Sequence, residues 1–119
     1  MSFFSRLFGA PQQPAGDPDD LTLRALADAG ANLARETETL FFLYFPTEAH
    51  ARSAANVAQR EGFAAKVSAP VQGHSEWLCR LTREMVPSRA AIKATRARLE
   101  ELATSLGGEF DGWEAAVRT

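Results

Sequence analysis

The run Leu40-Phe41-Phe42-Leu43-Tyr44-Phe45 constrains this chain more than any other stretch. It is an unbroken apolar and aromatic segment closed by Pro46, and six residues are too few for a stable independent helix. Its length and flanks predict a central strand buried on both faces. Side chains alternate along a strand, so Leu40, Phe42 and Tyr44 point one way and Phe41, Leu43 and Phe45 the other. The rest of the chain has to cover both faces.

At 119 residues the chain is long enough for one core, and residues 17–119 read as a single domain. Its 24% charged residues and net charge of -2 describe an ordinary globular chain without an overall polyanion-binding surface. A single cysteine, Cys79, excludes an intramolecular disulfide and fits a reducing cytoplasm. No apolar run approaches the roughly 20 residues that span a bilayer. Arg-rich, Ala-rich usage hints at a bacterial source. Residues 1–16 read as a flexible Phe-rich N-terminus (Phe3, Phe4, Leu7, Phe8) and a Pro/Gln linker, too short for a secretory signal. A frayed terminus is the preferred reading there, and a weak apolar tether to a membrane surface or partner groove the alternative.

Helix and strand signals then follow in order. Asp17-Pro18-Asp19-Asp20 opens a helix that Gly30 ends. Its apolar residues fall on two stripes, Leu21/Ala25/Ala29 and Leu23/Leu26/Ala27. Thr47 caps a second helix, to about Glu61, whose buried face is Ala51, Ala54, Ala55 and Ala58. Phe63, Ala65 and Val67 alternate as a half-exposed strand, and Trp77 to Thr82 form the next, with Trp77, Cys79 and Leu81 on one face. The short link between them predicts an antiparallel hairpin. Pro87 and Ser88 open a third helix through Ile92, Thr95, Leu99, Leu102, Ala103 and Leu106, ended by Gly107 and Gly108. A last strand runs from Glu109 to about Val117, interrupted by Asp111-Gly112, where a glycine inside a strand suggests a bulge or a close backbone approach. The fold class is α+β: a ferredoxin-like βαββαβ sandwich with an extra N-terminal helix and a four-stranded antiparallel sheet, its first and third strands central. The second face of Leu40–Phe45 then needs a cover, from the N-terminal helix or from another molecule.

No catalytic constellation stands out. His50 and His74 have no second ligand at metal spacing, and Cys79 reads as a buried, inert thiol. Glu109 and Asp111 are a possible carboxylate pair, but exposed strand charges are commonplace. No phosphate-binding glycine loop or nucleophile elbow occurs. RNA-recognition domains share the βαββαβ order, but the third strand, Trp77-Leu78-Cys79-Arg80-Leu81-Thr82-Arg83, lacks their glycine and second aromatic, so direct nucleic-acid binding is not expected. Two features remain as partner contacts. Arg89, Lys93 and Arg96 share one flank of the last helix, either a solvated face or a dock for an acidic partner. Asp111-Gly112-Trp113 either fixes the last strand, with Trp113 capping the core edge, or presents Trp113 as an anchor; the bulge needs all three residues, which favours the first.

Phe42-Leu43-Tyr44-Phe45-Pro46-Thr47-Glu48 leads into an Ala-rich helix ending Glu61-Gly62-Phe63, and Gly107-Gly108-Glu109-Phe110-Asp111-Gly112-Trp113-Glu114 follows a helix introduced by Val86-Pro87. In this order and spacing, over roughly residues 19–117, the chain resembles the regulator of ribonuclease E activity B family. That resemblance implies a ferredoxin-like fold with an extra N-terminal helix, no enzymatic activity and no cofactor. It also implies a cytoplasmic protein that binds ribonuclease E and restrains it, altering RNA decay. The best-known members carry a long acidic tail; this sequence ends Val117-Arg118-Thr119. The expected function is a non-catalytic protein-binding regulator contacting its partner through Arg89, Lys93, Arg96, Asp111 and Trp113. The alternative, drawn from the apolar second face, is a homodimer pairing sheet faces around a small ligand. Monomer and homodimer both stay open.

Overall fold

The computed structural model describes residues 17–119, so the expectations for residues 1–16 lie outside the described residues. The described residues form an α+β structure of three helices and a four-stranded antiparallel sheet. In chain order the elements are α1 (Pro18–Asp28), β1 (Thr37–Phe45), α2 (Glu48–Arg60), β2 (Ala64–Ser68), β3 (Trp77–Met85), α3 (Arg89–Ser105) and β4 (Glu109–Ala115). The strands lie in the order β2-β3-β1-β4, which puts β1 and β3 in the middle. β2 and β3 form the expected antiparallel hairpin.

Capping residues set the helix starts. The carboxylate of Asp17 accepts the Asp19 amide at 2.8 Å, Thr47 Oγ1 accepts from His50 at 3.2 Å, and Ser88 Oγ accepts from Ala91 at 3.1 Å. Each satisfies an amide that the first helical turn leaves without a partner.

β1 begins three residues earlier than the apolar run. Thr37 and Thr39 are buried although polar. Thr37 donates its hydroxyl to the Ala116 carbonyl at 2.6 Å and Thr39 donates to the Thr37 carbonyl at 3.1 Å. Two threonines with satisfied hydroxyls extend a strand as well as apolar residues do, which hydrophobicity alone does not reveal.

The core lies between the sheet and the helices. Phe41, Leu43 and Phe45 are fully buried beside Cys79 and Leu81, under Ala51, Ala54, Ala55 and Ala58 of α2 and Ile92, Leu99, Leu102 and Ala103 of α3. The alanines let α2 approach closely, and the strand rings fill the gap. Phe41 meets Phe63 edge-on at 5.9 Å between ring centres.

The structure corrects one expectation here. β1 is not buried on both faces: Leu40, Phe42 and Tyr44 are only half-buried. α1 does not cover them, because it lies on the helical side against α3 and buries Leu26 in the same core. Of the two stripes of α1, the Leu23/Leu26 stripe packs inward; Leu21, Ala25 and Ala29 are exposed.

The middle of β4 carries a bulge at Asp111-Gly112. Gly112 pairs with Phe42 and Phe110 with Leu43, so Asp111 is the additional residue. Gly112 sits at φ 127°, a conformation that other L-residues adopt only under strain. Earlier in the turn, Gly108 packs so tightly that a β-carbon there would come within 2.5 Å of the Phe45 ring and closer still to the Tyr44 carbonyl oxygen.

Candidate functional site

Four of the five expected contact residues meet the acids that open α1, and three of them converge on Asp19. This carboxylate is 1% exposed. Its Oδ1 accepts the Trp113 indole N–H at 3.0 Å and the Arg96 Nε at 3.1 Å. Its Oδ2 lies 3.3 Å from Lys93 Nζ. Lys93 also binds the carboxylate of Asp17, and Arg89 pairs with Asp20 at 2.8 Å. The three acids at the start of α1 therefore meet the three cations along α3, with Trp113 of β4 beneath.

Local chemistry explains the arrangement. Steps of three and four residues put Arg89, Lys93 and Arg96 on one ridge of α3. The acids of the first turn of α1 complement its dipole and face that ridge. Pairing with Lys93, together with the Asp19 amide, holds the Asp17 carboxyl below its ordinary range. The same pairing raises Lys93, and the Asp20 carboxylate raises Arg89. Arg96 also lies over the Phe110 ring at 4.8 Å, a cation–π contact that ties β4 to α3.

This geometry gives the five residues different roles. Trp113 is 8% exposed and caps the core edge, with its indole nitrogen spent on Asp19. Arg96 and Lys93 are mostly covered, while the Arg89 side chain is 64% exposed at the rim. Asp111 stands apart on the bulge, where it and Glu76 add to burial in raising the pKa of Tyr44.

No sequence motif distinguishes Asp19 from the other acids that open α1. The available signal was its phase: Asp19, Leu23 and Leu26 follow helical steps of four and three, so the acid continues the buried stripe.

Elsewhere the chemistry is quiet. Cys79 is buried, and burial raises its thiol to about 11, which leaves it protonated and unreactive near neutrality. His50 Nδ1 contacts Thr47 Oγ1 at 2.9 Å within a helix cap. A cleft of about 210 Å³ opens between Tyr44, Glu76, Gly108 and Glu109. Among the described residues no cluster of three His, Cys, Asp or Glu side chains has a metal-binding arrangement. Among them, too, no helix is long and apolar enough to cross a membrane.

Comparison with known proteins gives one family. The family model described as regulator of ribonuclease activity B matches residues 17–115, and the chain belongs to that family. A search of curated proteins finds no match.

Proposed function

We propose that this member of the regulator of ribonuclease activity B family is a non-catalytic cytoplasmic protein that binds ribonuclease E and lowers its activity by stoichiometric contact. The family match over residues 17–115 carries this reading. The described residues support it by what their polar groups do: the charged cluster around Asp19 is engaged in holding α1, α3 and β4 together. The strand order, read from the other edge as β4-β1-β3-β2, supports describing the fold as ferredoxin-like with an additional N-terminal helix.

The proposed contact surface is the outer side of the α1–α3 flank, with Arg89 at its rim. Asp111, on the β4 bulge, is a second candidate contact. Lys93, Arg96 and Trp113 lie behind this surface and fix its shape, so a partner meets them only where α1 leaves them open. Rim charges change association rates and salt dependence more than the packed centre does.

The test is capture of purified ribonuclease E by the immobilised protein, with Arg89→Glu and Asp111→Lys alongside. Both positions lie outside the core, so folding is expected to survive. The reading requires capture by the parent and weaker, more salt-sensitive capture by at least one variant. Absence of capture by the parent at micromolar concentrations contradicts it.

A further inference from the structure

The sheet face opposite the helices has an order of its own. Strand pairing stacks its side chains in rows running from β2 to β4. One row is Ser68, Leu78, Tyr44, Glu109; the next is Lys66, Arg80, Phe42, Gly112; the third is Ala64, Thr82, Leu40, Glu114. The centre is apolar, with half-buried Leu40, Phe42, Tyr44 and Leu78. Among the described residues no element lies over this face, since all three helices pack on the other.

Its charges are polarised across the strands. Lys66 and Arg80 stand on the β2–β3 side and make no ion pair among the described residues, while Glu109 and Glu114 stand on the β4 side. The Arg80 Nε is buried without a hydrogen-bond partner. A nucleic-acid strand would meet carboxylates along β4, which its phosphates disfavour. A second copy of the same face meets its own complement.

We propose that this face binds a second copy of the chain, forming a symmetric dimer about a two-fold axis parallel to the strands. That axis lays β2 over β4 and β3 over β1 of the mate and keeps each row over itself, and aligned sheets pack in this way at about −30°. Lys66 then stands beside the exposed Glu114 of the second copy, and Arg80 lies on the Phe42 ring of the second copy. A two-fold axis across the strands would instead set Lys66 against Lys66, so the charges choose between the two arrangements. Glu84 and Glu38 also face one another, but Glu84 already carries Arg118 at 2.8 Å and the crossing angle spreads the sheet ends apart.

Size sets the strength. Four strands about 4.8 Å apart, over about 25 Å of strand, give roughly 480 Å² per copy. The total of about 1,000 Å² is at the lower limit for specific interfaces, so dissociation on the order of tens of micromolar is expected.

The experiment is sedimentation equilibrium on the full chain from about 5 to about 500 µM, a range that brackets this value. A monomer–dimer equilibrium is expected for the parent. Lys66→Glu and Glu114→Lys should each weaken it about tenfold, and an equimolar mixture of the two should recover it, because only the mixed pair restores both contacts. Circular dichroism checks that both surface variants fold. A monomer throughout overturns the proposal, whatever else covers the face, the chain's own residues 1–16 included. A dimer indifferent to both substitutions, or a mixture that does not recover, overturns it as well.

Discussion

Replacing Asp19 with alanine removes the acceptor on which α1, α3 and β4 converge. Arg96 and Lys93 lose a buried counter-charge, and the Trp113 indole N–H loses its acceptor. Breaking a buried ion pair from one side costs roughly 3–5 kcal/mol. Arg96 and Lys93 keep side-chain exposures of 25% and 31%, so water repays part of that and leaves about 2 kcal/mol. The indole N–H stranded at a site 8% exposed adds roughly 1 kcal/mol or more, for a total of about 3 kcal/mol. Urea denaturation followed by far-UV circular dichroism measures this, and with m near 1.5 kcal/mol/M the midpoint falls by about 2 M. Trp113→Phe alone should cost about 1–2 kcal/mol. The double variant should cost about 1 kcal/mol less than the sum, since the alanine then strands no N–H. Amide exchange should report the same loss locally, as weakened protection along residues 18–28. A cost below about 1 kcal/mol for Asp19→Ala, with strict additivity in the cycle, refutes the argument that this carboxylate pins the flank.

Gly108→Ala should destabilise by about 2 kcal/mol or more, because the added carbon meets the Tyr44 carbonyl and the Phe45 ring, neither of which can yield cheaply; thermal unfolding measures it. Gly112→Ala should cost about 1–2 kcal/mol from strain at φ 127° alone, since nothing lies within 4 Å of the new carbon. The Cys79 thiol should resist alkylation in the folded protein at pH 8 and react fully in urea. Its folded pKa of about 11 lies above the ordinary 9.0, so the unfolded chain releases this proton first. Stability should therefore be insensitive to Cys79 below about pH 9 and decline between about pH 9 and 11, as urea midpoints at stepped pH would show. In acid the sign reverses: the carboxyl of Asp17 is lowered by Lys93, so its contribution is present above the ordinary carboxylate range and is lost as pH falls through the lowered value.

The backbone was largely legible in the sequence because its punctuation is strong. Asp17, Thr47 and Ser88 cap helices where they stand, and Gly112 marks the bulge. Two things were not legible, for physical reasons. The start of β1 rests on threonine hydroxyls finding main-chain carbonyls, and Ala116, which accepts from Thr37, is 79 residues away. The placement of α1 depends on Asp19 meeting Trp113, a pairing across 94 residues that no local pattern encodes. A run as apolar as Leu40–Phe45 implied two covered faces, whereas the acids of α1 drew that helix to the cations of α3. The same pairing turned a flank that read as open into one that is largely occupied. Arg96→Glu and Trp113→Ala, obvious choices for probing a binding surface, would thus dismantle the anchor of α1 instead, and Arg89 is the cleaner probe.

The regulatory reading meets its most direct test in RNA cleavage by the host's ribonuclease E, followed as the full chain is titrated in. A dose-dependent decrease in cleavage rate that saturates at a fixed ratio of regulator to enzyme is expected, with a weaker effect for Arg89→Glu under the same conditions. An unchanged rate across the titration, with the protein shown to be folded and in molar excess, contradicts it.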